Sequence, residues 1–382
     1  MDTDPTDPTG RSRLSTLQGR LPAMVDTLAA FVAAESPSVD VEACRRCADI
    51  VAAAGEDILG RAPDRRVVDG RTHLLWRCSP DVDVLLIGHL DTVWPAGTTV
   101  DWPFAYQDGV ATGPGSFDMK AGLVLGLNAL ASLDDLDGVA FLVTSDEEIG
   151  SRTSRALIES TAASARAVLV LEPAVGRAVK TARKGTSFYE VEVVGRAAHA
   201  GLEPERGVNA LVELAHQVLA VSALADPLVG TTVTPAVADA GTVVNVVPAT
   251  ARLQVDARAT SVAEQERVDA AMRALSPVVA EATLAVRGGP NRPPLEPSAS
   301  EGLFAIAARV AEVLGMAPLE GRAVGGGSDG NFTAAMGIPT LDGLGPVGDG
   351  AHARGEHVVV ASMPERAALV AAIVEDLRDH RT

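Results

Sequence analysis

"GVAFLVTSDEEIGS", residues 138–151, is an apolar run that ends in three consecutive carboxylates. Val139 to Val143 carries no polar residue and is short, which fits a strand buried on both faces. Asp146, Glu147 and Glu148 follow directly. Solubility alone could put such a cluster on any loop, so its place at the end of a buried strand asks for another reason. The arrangement recurs: "VDVLLIGHLDTV" ends in His89 and Asp91, and "AVLVLEP" ends in Glu172. Helical patterns, "MKAGLVLGLNALASL" and "SRALIES", fall between these runs. Their alternation predicts an α/β unit with a mixed, mostly parallel sheet covered on both faces. In open sheets of this kind, ligands gather at the carboxyl ends of the strands. His89, Asp91, Glu147, Glu148 and Glu172 therefore converge on one edge, and "GPGSFDMKAG" adds Asp118 in a Gly-rich turn ahead of a helix.

Near residue 178 the texture changes. "FYEVEVVG" and "ARLQVDARA" alternate apolar with polar residues, as half-exposed antiparallel strands do. The segments "VNALVELAHQVLAVSAL" and "AEQERVDAAMRAL" have helical spacing. A smaller α+β unit over residues 178–289 follows, with "RGGPNRPPLEP" punctuating its end. The α/β pattern then resumes through "GLFAIAARVAEVLGM" and "IPTLDGLG". The expected organisation is one domain inserted in another: 1–177 and 290–382 form the outer domain, 178–289 the insert. Helical spacing also runs from about residue 14 to 60. The closing helix is expected to start at Ser362 with a capping box to Glu365, its apolar face running through Leu369, Ile373 and Leu377.

The length of 382 residues suits two or three compact units. A formal net charge of -18 argues against nucleic acid or an anionic membrane as partner. Cys44 and Cys47 have C-x-x-C spacing but sit in a helical pattern with no second pair, so they read as ordinary helix residues. Three cysteines make no disulfide framework and fit a reducing compartment. The opening "MDTDPTDPTGRSR" has no apolar signal segment, and no stretch approaches the roughly 18 apolar residues of a membrane span. The expectation is a soluble cytoplasmic protein with a short frayed start.

Five or six acidic and imidazole groups in one crevice would repel or desolvate one another unless a cation joined them. Mixed histidine and carboxylate ligands suit zinc, with cobalt or manganese tolerated. There are too many ligands for one tetrahedral ion, whereas two ions about 3.5–4 Å apart use them naturally. Of Glu147 and Glu148, one is then a ligand and the other a general base; the residues alone leave open which is which.

"GHLDTV", "GPGSFDMKAG", "SDEEIGS", "LEP" and "AHARGEHV" resemble, in this order, the metal motifs of the dinuclear zinc peptidases that include aminoacylase, acetylornithine deacetylase, succinyl-diaminopimelate desuccinylase and carboxypeptidase G. Similarity is greatest to the glutamate carboxypeptidase branch, through "HLDTVWP", "GGGSDGNF" and "GAHARGEHV". The resemblance implies a zinc-exopeptidase-like catalytic domain with an inserted ferredoxin-like lid and dimerisation domain. It implies two zinc ions bridged by Asp118, with His89 and Glu172 completing one shell and Glu148 and His352 the other. Asp91 would hydrogen-bond His89, and the Asp118–Met119 peptide bond would be cis. Glu147 would be the base that takes a proton from a metal-bridging water and returns it to the leaving nitrogen. In the insert, His199 would reach the partner subunit's site in a homodimer. Asn245 and Arg258 would grip the substrate, and Gly327 and Ser328 belong to a substrate-facing loop. Arg292, in "PNRPP", reads equally as a turn residue or a substrate contact. His73, His216, His357 and His380 match no ligand position. The implied activity is hydrolysis of an amide next to a free carboxylate, in an N-acyl or peptidyl amino acid, with C-terminal glutamate a candidate. A deacylase or dipeptidase of the same family is the alternative within the class, and an inactive carboxylate-binding metalloprotein the alternative outside it.

Overall fold

The computed structural model describes residues 8–380. The frayed start expected of the first residues lies outside the described residues up to position 7. From Pro8 the chain is helical, in three helices at Pro8–Gly19, Leu21–Ala33 and Val41–Leu59. The chain divides into two compact units. The first takes the described chain up to Ala182, with Pro297–Val324 and Ser328 onward; the second is Arg183–Glu296 with Gly325–Gly327.

The first unit is built on a six-stranded mixed sheet. Its order is Asp64–Val68, Arg71–Arg77, Val139–Thr144, Val84–His89, Ala167–Val170, Thr340–Leu341. The first two strands are antiparallel to their neighbours and the last four run parallel. All six residues of Val84–His89 and of Val139–Thr144 are buried, which is why these strands read as unbroken apolar runs. Val84 and Leu86 face a core made with helices Ala121–Leu130, Ser362–Asp379, Leu21–Ala33 and Val41–Leu59. Leu85 and Ile87 face the other core, with Ile158 and Phe332. A second, four-stranded sheet in this unit has the order Gly348–Asp349, His357–Val359, Val110–Thr112, Ala105–Gln107.

The second unit is a four-stranded antiparallel sheet, ordered Thr232–Ala240, Thr250–Ala259, Gly185–Val194, Thr283–Arg292. Helices Ala210–Ser222 and Val262–Arg273 cover its apolar side, packing Leu214, Val268 and Met272 against Val191, Val193, Leu253 and Val255. The chain order β-α-β-β-α-β with this pairing is the ferredoxin-like arrangement. Both limits of this unit fall later than the sequence punctuation suggests. The "RGGP" segment lies inside its last strand, which tolerates Pro290 because the strand is at the sheet edge and carries a bulge between Pro290 and Arg292.

One local expectation fails. The helix does begin at Ser362, but Ser362 caps nothing: its hydroxyl donates to the Val359 carbonyl at 2.7 Å and accepts from the Val347 N–H at 3.1 Å. Glu365 instead pairs with Arg177 at 2.7 Å. Among the described residues no helix is long and apolar enough to cross a membrane.

The helix Ala121–Leu130 is buried along its whole length. It lies so close to the sheet that a Cβ on Gly122 would sit 2.3 Å from the Leu171 carbonyl oxygen. Alanine normally favours a helix over glycine by about 1 kcal/mol, but a backbone carbonyl cannot step aside as a side chain can. Gly122→Ala should therefore be destabilising by roughly 1–2 kcal/mol net of propensity, read from urea unfolding. A wild-type or raised midpoint would contradict this packing.

Candidate metal centre

Strand register decides what meets at the sheet edge. His89 pairs with Thr144, three residues before Glu147, and Ile87 pairs with Val170, two residues before Glu172. Three adjacent parallel strands thus deliver His89, Glu147, Glu148 and Glu172 to one edge. Asp118 arrives on the turn after Val110–Thr112, and His352 on the loop between Gly348–Asp349 and His357–Val359. Those strands belong to the small sheet, so the two loops come from one scaffold.

The side chains converge around Asp118. His89 Nε2 lies 3.4 Å from Asp118 Oδ1 and 3.5 Å from Glu172 Oε1. His352 Nε2 lies 3.3 Å from Asp118 Oδ2 and 3.1 Å from Glu148 Oε1. Each oxygen of Asp118 therefore faces its own histidine–carboxylate pair. Asp118 Oδ1 is buried and has no hydrogen-bond partner, as expected of an atom shaped to meet a cation. Among the described residues, two groupings have ligand atoms within 4.8 Å of one another: His89, Asp118 and Glu148, and His89, Glu147 and Glu172. The donor set is nitrogen and oxygen, mostly buried, and fits a divalent ion such as zinc.

Electrostatics describe the same crowding. Burial alone would lower the His89 pKa, yet the Asp118, Asp91 and Glu172 carboxylates lift it well above the usual histidine range. His352 is pushed up to about 10, by Asp118 first and then Glu148. Burial, aided by the Asp118 anion, raises Glu148 to about 7. Asp118 is held far below the usual carboxylate range: its burial is outweighed by His352 and His89. A cation would compete with protons for these imidazole and carboxylate atoms.

Other carboxylates hold the loops. Asp91 meets His89 through its main chain: His89 Nδ1 lies 2.9 Å from the Asp91 carbonyl oxygen. That oxygen can only accept, so Nδ1 carries the proton and the neutral ring leaves Nε2 free as a ligand atom. The Asp91 carboxylate, 3.6 Å from the ring, accepts instead from the N–H groups of Glu147 and Glu148 at 3.1 and 3.2 Å and from the Ser38 hydroxyl at 2.7 Å. Asp146, the first acid of the triplet, accepts from Thr153 N–H at 2.7 Å and Ser154 Oγ at 2.6 Å. The three consecutive acids thus divide: Asp146 shapes the loop, and Glu147 and Glu148 face the cluster.

Two buried groups have no counterpart in the sequence reading. Glu356, fully buried, accepts from the N–H groups of Gly115, Phe117 and Asp118 at 3.0, 2.8 and 2.9 Å, and from Trp94 Nε1 at 2.9 Å. It fixes the turn that carries Asp118, whose bond to Met119 is cis. Lys180 is buried, with Nζ 3.7 Å from Glu172 Oε2. Ser328 also lies in the first unit, fully buried, its hydroxyl donating to Asp342 Oδ2 at 2.5 Å. His73 is buried beside Thr153 at 3.1 Å, consistent with an ordinary role.

His199, Asn245, Arg258 and Gly327 belong to the second unit. There His199 and Asn245 are exposed and lie on adjoining segments, joined by the Ala200 N–H to the Asn245 carbonyl at 2.9 Å. Arg258 forms a two-pronged bond to Asp256 at 2.7 and 2.8 Å. Gly327 packs against Arg292: a Cβ on it would lie 3.2 Å from Arg292 Cδ.

The model of Peptidase family M20/M25/M40 matches residues 85–376. Carboxypeptidase G2 of Pseudomonas sp. (strain RS-16) is 34% identical over 312 residues, covering 77% of this chain and 74% of that protein. A succinyl-diaminopimelate desuccinylase of Caulobacter vibrioides is 29% identical over 322 residues, covering 75% and 79%. Among solved structures, the M20 family metallo-carboxypeptidase Sso-CP2 of Sulfolobus solfataricus shares the fold with a TM-score of 0.74 and 17% identity, covering 92% of this chain and 98% of that one. With the family model spanning most of its length and a histidine–carboxylate cluster at the carboxyl edge of its sheet, the chain belongs to peptidase family M20/M25/M40 and is a metal-dependent hydrolase of peptide or acyl-amino-acid bonds.

Proposed function

We propose that this hydrolase holds two zinc ions and cleaves the amide bond next to a free carboxylate in an N-acyl or peptidyl amino acid, with C-terminal glutamate the leading substrate. The observation that carries the reading is the two-sided placement of Asp118, one oxygen toward His89 and Glu172 and the other toward Glu148 and His352. In this reading those five residues hold the ions, and cobalt or manganese can replace zinc. Bound there, the ions supply Lewis acidity to the scissile carbonyl and acidity to water. Glu147, 7% exposed and tethered through its N–H to Asp91, takes the proton and returns it to the leaving nitrogen. Asp91 keeps Glu147 and His89 in place. His199 stabilises the developing oxyanion, and Asn245 and Arg258 grip the substrate's carbonyl and carboxylate, with Gly327 and Ser328 in the substrate-facing loop. Support for the glutamate preference is the likeness to carboxypeptidase G2.

A second reading makes Glu147 a ligand, since its carboxylate lies within 4.8 Å of ligand atoms on His89 and Glu172. A homodimer through the second unit and a cytoplasmic location complete the proposal. Support for the dimer is an apolar skin there: Leu211, Val212 and Leu219 of Ala210–Ser222 and Val237 of the edge strand are exposed. Three free cysteines support the location.

Zinc-loaded enzyme should hydrolyse N-acyl-glutamate and lose that activity to a chelator. Glu147→Gln should lower kcat by about 100-fold or more while elemental analysis finds wild-type zinc content. Loss of zinc along with activity would favour the ligand reading, and no turnover of any N-acyl amino acid or dipeptide would sink the proposal.

Glu356→Ala removes the acceptor of three N–H groups under Asp118. Affinity for zinc in chelator competition should fall by roughly 10- to 100-fold, and an unchanged value would show that the turn holds itself.

A further inference from the structure

Within the first unit, away from the residues assigned above, lies a cavity of about 480 Å³. Its walls come from the turn Val175–Ala178, the segment Met316–Glu320, Arg322 and Arg366. Arg366 is 2% exposed, on the second turn of the Ser362–Asp379 helix. One of its terminal nitrogens donates to the Arg177 carbonyl at 2.5 Å. The other, NH1, is buried and has no hydrogen-bond partner. No carboxylate pairs with Arg366 among the described residues. The nearby acids are engaged elsewhere, Glu365 by Arg177 at 2.7 Å and Glu320 by Arg322 at 2.8 Å. Three guanidinium groups therefore meet two carboxylates, and the charge left over belongs to the buried arginine.

A buried charge with an idle donor is costly unless something pairs with it. Burial and the neighbouring Arg177 pull the Arg366 pKa down to about 10, which leaves it cationic at neutral pH. Guanidinium groups bind carboxylates through paired N–H donors. Beside the charged groups Arg177, Glu320 and Arg322 the wall carries apolar residues: Met316 and Leu319 are half-buried and Val175 is 41% exposed. We infer that this cavity is an anion site for a small organic monocarboxylate, its head at the Arg366 side of the wall and its apolar tail against Met316 and Leu319. A single uncompensated charge selects a monoanion, and the apolar wall selects a carbon chain over an inorganic ion. The site stands independently of the reaction proposed above. Its turn, Val175–Ala178, is the link between Glu172 and Lys180.

The test uses the full-length, zinc-loaded protein labelled with 13C at its methionine methyl groups. Met316 is one of seven methionines, so its signal is assigned by Met316→Leu and reports on this cavity alone. Hexanoate should shift the Met316 methyl resonance saturably, at concentrations on the order of millimolar. Neutral hexanamide and inorganic phosphate should leave it in place. Arg366→Met should weaken hexanoate binding about tenfold or more. Because Arg366 also holds the Arg177 carbonyl, Arg322→Ala at the exposed rim provides a second variant, expected to weaken binding a few-fold with the melting temperature unchanged. The proposal is overturned if hexanoate leaves Met316 unmoved, as it would were the cavity filled by solvent only. It is equally overturned if hexanamide or phosphate binds as well as hexanoate, or if folded Arg366→Met and Arg322→Ala both bind hexanoate with wild-type affinity.

Discussion

Asp118 presents two oxygens to two histidines, His89 buried and His352 exposed, and the rest of the first unit is arranged around that constraint. A carboxylate oxygen that is buried and unpartnered, as Asp118 Oδ1 is, is costly by itself. Glu148 and Glu172 lie beside it, and Glu148 is raised to about 7 by its burial first and then by the Asp118 anion. A cation resolves the conflict, and the two-sided geometry gives each face of Asp118 its own set of partners.

Holding such a cluster open requires that no loop relax away from it. The chain does this with a further set of acids whose task is to bind backbone or hydroxyl groups. Asp91 receives the N–H groups of Glu147 and Glu148; Glu356 receives those of Gly115, Phe117 and Asp118; Asp329 receives the hydroxyls of Thr144 and Ser151. Such hydrogen bonds to charged acceptors are about twice as strong as neutral ones. Part of the net charge of -18 is therefore internal structure rather than surface. The sheet supplies the remaining rigidity, because His89 and Glu172 leave strands that are packed on both faces.

Much of this architecture is legible in the amino-acid sequence. Strands buried on both faces announce themselves as unbroken apolar runs, and the position of His89, Glu147, Glu148 and Glu172 directly behind such runs points to a shared edge. Less is legible where one residue type serves two ends. An acid that accepts N–H groups looks in sequence like an acid that binds metal, so nothing in "AHARGEHV" marks Glu356 as a brace for a distant turn. Nor does the sequence show that Asp91 meets His89 through its main chain and spends its carboxylate on the N–H groups of Glu147 and Glu148. Ser362 and Glu365 match a capping pattern, but Val347 and Arg177, distant in sequence, compete for their side chains. Pro290 looks like a boundary because the edge position that tolerates it is set by pairing with Gly185–Val194. The burial of Lys180 and Arg366 is likewise tertiary and leaves no local signature.

Whether Asp118 stands between two ions is tested most directly by anomalous X-ray diffraction at the zinc edge, on crystals of the zinc-loaded enzyme. Two peaks per chain are expected, one beside His89 and Glu172 and the other beside Glu148 and His352. A single peak, or zinc bound away from Asp118, would contradict this arrangement.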